Sequence, residues 1–140
     1  MPLMKSSLRL LIASLFFWSV IAHAEWLTYK DPAQKGVVIT YSTLSIKRID
    51  EVHYAVSVFT NYPTMQTAEI NRQKIQYQSK TETQFFGCET QDFALGAFEL
   101  YRDKDALGPK TSVPAKDLLW NPIAPGSLQM QFLNSFCRRG

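Results

Sequence analysis

With 46% hydrophobic and 19% charged side chains over 140 residues and a formal net charge of +3, the chain can build a packed core and is not the highly charged type that stays disordered. Lys5 and Arg9 supply two of those three charges, and every acidic residue lies beyond position 24, so the rest of the chain is close to neutral. Its other basic residues are dispersed (Lys30, Lys47, Arg48, Arg72, Lys80, Lys104 and Lys116 among them), which excludes the concentrated basic stripe of a nucleic-acid-binding protein.

The chain opens with a basic start at Lys5 and Arg9, an apolar run from Leu10 to Ile21, and the small-x-small sequence Ala22-His23-Ala24. That order reads as a secretory signal peptide over residues 1–24, cut between Ala24 and Glu25. The apolar run is shorter than the roughly 20 residues that span a bilayer comfortably. No cysteine follows it to carry a lipid. The expectation is therefore an exported protein of the periplasm or the cell surface, soluble, with no membrane insertion of the mature chain. Residues 25–140 are enough for one domain around one core.

Most of that domain reads as β. Trp26-Leu27-Thr28-Tyr29 and Val37-Val38-Ile39-Thr40-Tyr41 are short β-prone runs separated by the turn signals Asp31-Pro32 and Lys35-Gly36. Ser45 to Ile49 leads through Asp50-Glu51 into a long run ending at Asn61-Tyr62. There, Val52, Tyr54, Val56 and Val58 share one face, and His53, Ala55, Ser57 and Phe59 the other. Two polar connections follow, Pro63 to Lys74 and Asp103 to Asp117. Between them, Thr81 to Cys88 and Phe93 to Arg102 form a hairpin around Glu89-Thr90-Gln91-Asp92. Strict alternation puts Phe93, Leu95 and Tyr101 on one face of its second strand and Phe98 and Leu100 on the other. Two apolar faces can be covered by loops, Trp120 among their residues, or by pairing in a homodimer.

Pro125-Gly126-Ser127 then punctuates the chain, with Ser127 placed as the N-cap of a terminal helix. Leu128, Phe132, Leu133, Phe136 and Cys137 follow one helical stripe, and Arg138 and Arg139 sit where the helix dipole favours positive charge. The fold class expected is α+β: a single domain with an antiparallel sheet of about five to six strands and a C-terminal α-helix packed on it. Export places Cys88 and Cys137, the only two cysteines, in oxidising surroundings, where a pair in a small domain is expected to form a disulfide.

Chemistry is sparse. His53 is the only histidine beyond the signal segment, which removes any two-histidine metal motif, and bridged cysteines cannot ligate zinc. Dispersed glycines form no phosphate loop, and Ser57 and Ser79 lack a G-x-S-x-G setting. Asp50-Glu51 and Asp103 with Asp105 lie in turns, where acids are ordinary. No catalytic residue, metal or cofactor is therefore assigned.

The order of motifs does carry a resemblance. A tryptophan follows the cleavage site, the serine-isoleucine step Ser45-Ile46 enters a strand, and another strand ends in Asn61-Tyr62. An aromatic pair precedes Cys88, and LWNPIAPGS leads to a helix ending in Cys137. Together these resemble the surface-adhesin protein E family of Gram-negative bacteria, over nearly all of residues 25–137. The resemblance implies an antiparallel sheet tied to its terminal helix by a disulfide. It also implies a non-enzymatic, adhesin-like binding module of the envelope with a host-matrix or envelope protein as partner. The competing expectation is a small periplasmic enzyme, accessory or scaffold protein using a pocket between helix and sheet.

Overall fold

A computed structural model describes residues 26–137. The expected signal peptide, the Ala24–Glu25 junction, Arg138 and Arg139 lie outside the described residues. Seven strands and one helix follow in order: β1 (Trp26–Lys30), β2 (Val38–Arg48), β3 (His53–Ile70), β4 (Gln73–Gly87), β5 (Asp92–Tyr101), β6 (Lys110–Val113), β7 (Asn121–Pro122) and α1 (Leu128–Cys137). They form one antiparallel sheet in the order β1-β2-β3-β4-β5-β6, with β7 also paired to β5. The strand number exceeds the sequence reading because two short pieces, β6 and β7, occupy successive stretches of the same edge. β6 lies against Phe98 to Tyr101, and β7 against Asp92 and Phe93.

Three register breaks shape the sheet. In β2 the break falls between Ser42 and Lys47. Ser45 stitches it, donating from Oγ to Ser42 O at 2.7 Å and accepting from Ser57 N at 2.8 Å. In β3 the break falls between Asn61 and Gln66, and it contains Pro63, a residue that sheets tolerate at such irregularities because it cannot donate to the ladder. The third lies opposite Thr83, where Gly96 and Ala97 together face one residue of β4. A Cβ on Gly96 would stand 2.7 Å from Phe85 Cε2 and 3.0 Å from Thr83 O, so only glycine fits that bulge as it stands.

This third break corrects the alternation expected for β5. The pairs Phe86↔Phe93, Gln84↔Leu95, Glu82↔Phe98 and Lys80↔Leu100 put all four apolar β5 residues on one face. The extra residue resets the parity, and the second apolar face is not built from them.

The segment read as a polar connection from Pro63 to Lys74 is likewise corrected. It is the end of β3, a turn at Asn71 and Arg72 with φ of 51° and 65°, and the start of β4. Positive φ at both central residues is the signature of a tight hairpin turn. The pairs run on to Ile70↔Gln73, making an arm whose inner face carries Ala68, Ile70, Ile75 and Tyr77 in half-buried positions. The second connection, residues 103–117, holds β6 within it.

The core lies between α1 and one half of the sheet. Tyr41, Val56, Val58, Phe86, Ile123, Phe132 and Leu133 form one buried cluster. Phe132 stacks on Tyr41 with ring centroids 4.1 Å apart and tilts onto Phe86 at 5.1 Å, while Phe136 meets Tyr54 edge-on at 5.0 Å. Each such side chain is worth about 1.5–3 kcal/mol in removed apolar surface, with a further gain from ring geometry. Ser127 begins the helix: its Oγ donates to Ala124 O at 2.7 Å and accepts from Met130 N at 3.2 Å. A disulfide joins Cys88, just beyond β4, to Cys137 at the helix end, with Cα atoms 5.8 Å apart.

Candidate functional site

Side chains of β4 at alternate positions point to the helix-bearing face: Phe86, Gln84, Glu82 and Lys80, in that order away from the disulfide. Phe86 is under α1. Beyond it, Lys80 and Glu82 floor a cleft of about 530 Å³ enclosed by the sheet and the arm. Leu95, Phe98 and Leu100 of β5 and Val113 of β6 give it an apolar wall, and Ala68, Ile70 and Tyr77 reach over from the arm. Pro114, Lys116 and Asp117, from the strap between β6 and β7, close the remaining side. A second chamber of about 340 Å³ adjoins it and shares Lys80, Glu82 and Leu95. This inner chamber is more polar, bordered by Thr60, Tyr62, Gln84 and Gln129.

The floor is a string of coupled polar groups. Lys80 Nζ lies 3.5 Å from Glu82 Oε2, with those side chains 24% and 10% exposed. Gln84 Nε2 donates to Glu82 Oε1 at 2.7 Å. Burial raises the Tyr41 hydroxyl above the ordinary phenol range, with the negative charge of Glu82 adding to the effect, so Tyr41 is neutral at every physiological pH. A half-buried ion pair adds little to stability, so its effect here is to place fixed polar groups against an apolar wall. Sequence reading missed Lys80, Glu82 and Gln84; the signal was three polar residues alternating in β4 across from Leu100, Phe98 and Leu95.

The opposite face has its own cluster. His53 Nδ1 lies 2.8 Å from Asp50 Oδ2 and Nε2 lies 3.3 Å from Asp92 Oδ1. Trp120 stacks on the imidazole with centroids 4.0 Å apart and meets Phe85 edge-on at 6.3 Å. Desolvation pulls the His53 pKa down, but hydrogen bonds and charge from Asp50 and Asp92 outweigh it and the net shift is upward. Asp50 is held below the usual carboxylate value by the Val52 N–H and by His53. Both ring nitrogens lie beside carboxylates, so His53 ties the turn at Asp50 and the start of β5 at Asp92 to β3. The turn before β6 is anchored on the same sheet: Asn61 Nδ2 donates to Asp105 Oδ1, and Asp105 N donates to Asn61 Oδ1, each at 2.9 Å.

No group of three or more His, Cys, Asp or Glu able to hold a metal occurs among the described residues, and no described helix is long and apolar enough to cross a membrane.

The surface-adhesin protein E family model matches residues 26–138. No curated protein sequence matches the chain. Crystal structures of protein E from Haemophilus influenzae share the fold. The selenomethionine form has a TM-score of 0.58 at 9% identity, covering 79% of this chain and 85% of that one. Protein E from a non-typeable strain has a TM-score of 0.56 at 11% identity, covering 81% and 84%. Crystal form II has a TM-score of 0.56 at 10% identity, covering 72% and 80%. With its seven-stranded antiparallel sheet, terminal helix and bridging disulfide, the chain belongs to the surface-adhesin protein E family.

Proposed function

We propose that this chain is an exported, non-enzymatic binding module of the bacterial envelope that engages a protein partner, of the host matrix or of the envelope itself, along the rim of the cleft. One observation carries the reading. The two polar segments of the sequence, residues 63–74 and 103–117, come together as opposite walls of a single cleft. A projecting arm and a strap mounted on a rigid sheet are the usual way a scaffold presents a binding surface. In this reading residues 1–24 act as a secretory signal peptide removed between Ala24 and Glu25, and intact mass of the exported protein should give Glu25 as its first residue.

The test is capture of matrix and envelope proteins by the exported, disulfide-bonded protein, repeated with Gln73→Glu and Lys116→Glu, two exposed residues on the inner face of the arm and on the strap. Capture of a specific partner should fall at least about tenfold in the double variant while the melting temperature is unchanged. Equal capture by the variant removes the rim from the function. Protease added to intact cells places the module: degradation means the outer surface, and protection until the outer membrane is opened means the periplasm. A homodimer through exposed apolar side chains belongs to the same reading, since Leu95 and Leu119 are exposed. Light scattering giving a monomer mass at high concentration removes it.

A further inference from the structure

Below that rim, the cleft carries a polar atom with nothing to bond. Gln84 is 5% exposed, and its Oε1 is buried with no hydrogen-bond partner, although Nε2 is satisfied by Glu82. A buried carbonyl left unpaired forfeits the bond that it had in water, and native proteins leave few of them. Gln84 borders the second chamber, which adjoins the apolar one and shares Lys80, Glu82 and Leu95 with it.

The neighbouring charges restrict what can meet that oxygen. A charged head would have to shed its hydration to reach that buried oxygen, and Lys80 and Glu82, already paired with each other at 3.5 Å, return little of that cost. A carboxylate also has no hydrogen to donate, whereas a neutral N–H or O–H donor has one and loses less hydration. The outer chamber, at about 530 Å³, has the size and apolar lining of small-molecule sites, which run from about 300 to 1,000 Å³.

We propose that the cleft binds a small neutral amphiphile, its amide or hydroxyl head donating to Gln84 Oε1 and its hydrocarbon body lying on Leu95, Phe98 and Leu100. This goes beyond the protein-binding reading, because it uses the floor of the cleft and not its rim.

Four probes with one tail and different heads test it: octanamide, n-octanol, octylamine and octanoate, titrated into the exported, disulfide-bonded protein and followed by backbone amide NMR. Octanamide and n-octanol are expected to shift the signals of Leu95, Phe98 and Val113 saturably, with affinities at least about tenfold above those of the two charged probes. Gln84→Leu should lower the octanamide affinity at least about tenfold. Leu95→Asp, at a side chain 54% exposed where the change spares the core, should weaken both neutral probes. Equal binding of all four probes, unchanged octanamide binding in Gln84→Leu, shifts confined to other regions, or no binding at all each overturn the proposal. Neither variant alters Gln73 or Lys116, so lost probe binding with retained partner capture separates this site from the rim, as does the reverse.

Discussion

One face of one strand serves two ends. At the disulfide end of β4, Phe86 is sealed under α1 against Tyr41 and Phe132. A few residues along the same face, Gln84, Glu82 and Lys80 floor an open cleft. The β5 partners are apolar in both places, from Phe93 beside the core to Leu100 in the cleft. What differs is the cover. The helix reaches the first half and stops, so the second half keeps its apolar wall while its β4 positions turn polar. The covered half explains why the fold persists, and the open half what it can hold.

Breaking the covered half should give the largest effect. Phe132→Ala removes the ring at the centre of the cluster and is expected to cost about 3–5 kcal/mol, read from urea or thermal unfolding. Replacing Cys88 and Cys137 by serine frees a loop with a sequence separation of 49 and should cost about 2–5 kcal/mol, with the helix end fraying first in hydrogen exchange.

A smaller effect is expected from pH, through the cluster on the opposite face. The raised His53 pKa means that its contribution is fully present below the unfolded value of about 6.5 and lost as pH rises through the higher folded value. The lowered Asp50 pKa contributes above the unfolded carboxylate value of about 3.9 and is lost as pH falls through the folded one. Urea midpoints should therefore fall between pH 6 and pH 9 in the wild type by more than in His53→Gln. The smallest effect belongs to the open half: Leu95→Asp should leave stability within about 0.5 kcal/mol, because the side chain is already exposed. A large loss there would mean that the cleft is core after all.

The covered half was also the more legible in the sequence. The face carrying Tyr54, Val56 and Val58 alternates cleanly, and Leu128, Phe132, Leu133 and Phe136 recur at helical spacing. The open half was obscured by three local devices. Pro63 argues against a strand unless it falls in a register break, which is where it sits. Asn71-Arg72 makes a turn usually announced by a glycine, while Gln66, Thr67 and Gln76 dilute the stripe of Ala68, Ile70 and Ile75. At Gly96, one extra residue moves Phe98 and Leu100 across the sheet, a change of parity that simple alternation cannot register. The cleft depends on all three, so its walls and floor emerged only with the fold.

The position of the disulfide has a consequence for resistance to proteolysis. A protease that clips the segment before β6 cuts between Cys88 and Cys137, and the severed piece stays covalently attached. A cut at the tip of the arm, at Asn71-Arg72, falls outside that ring and leaves two fragments with no covalent link, held by strand pairing and by the packing of α1 on Tyr41, Val56 and Val58. Digestion by trypsin, read on gels with and without reductant, therefore distinguishes a harmless nick from a lethal one.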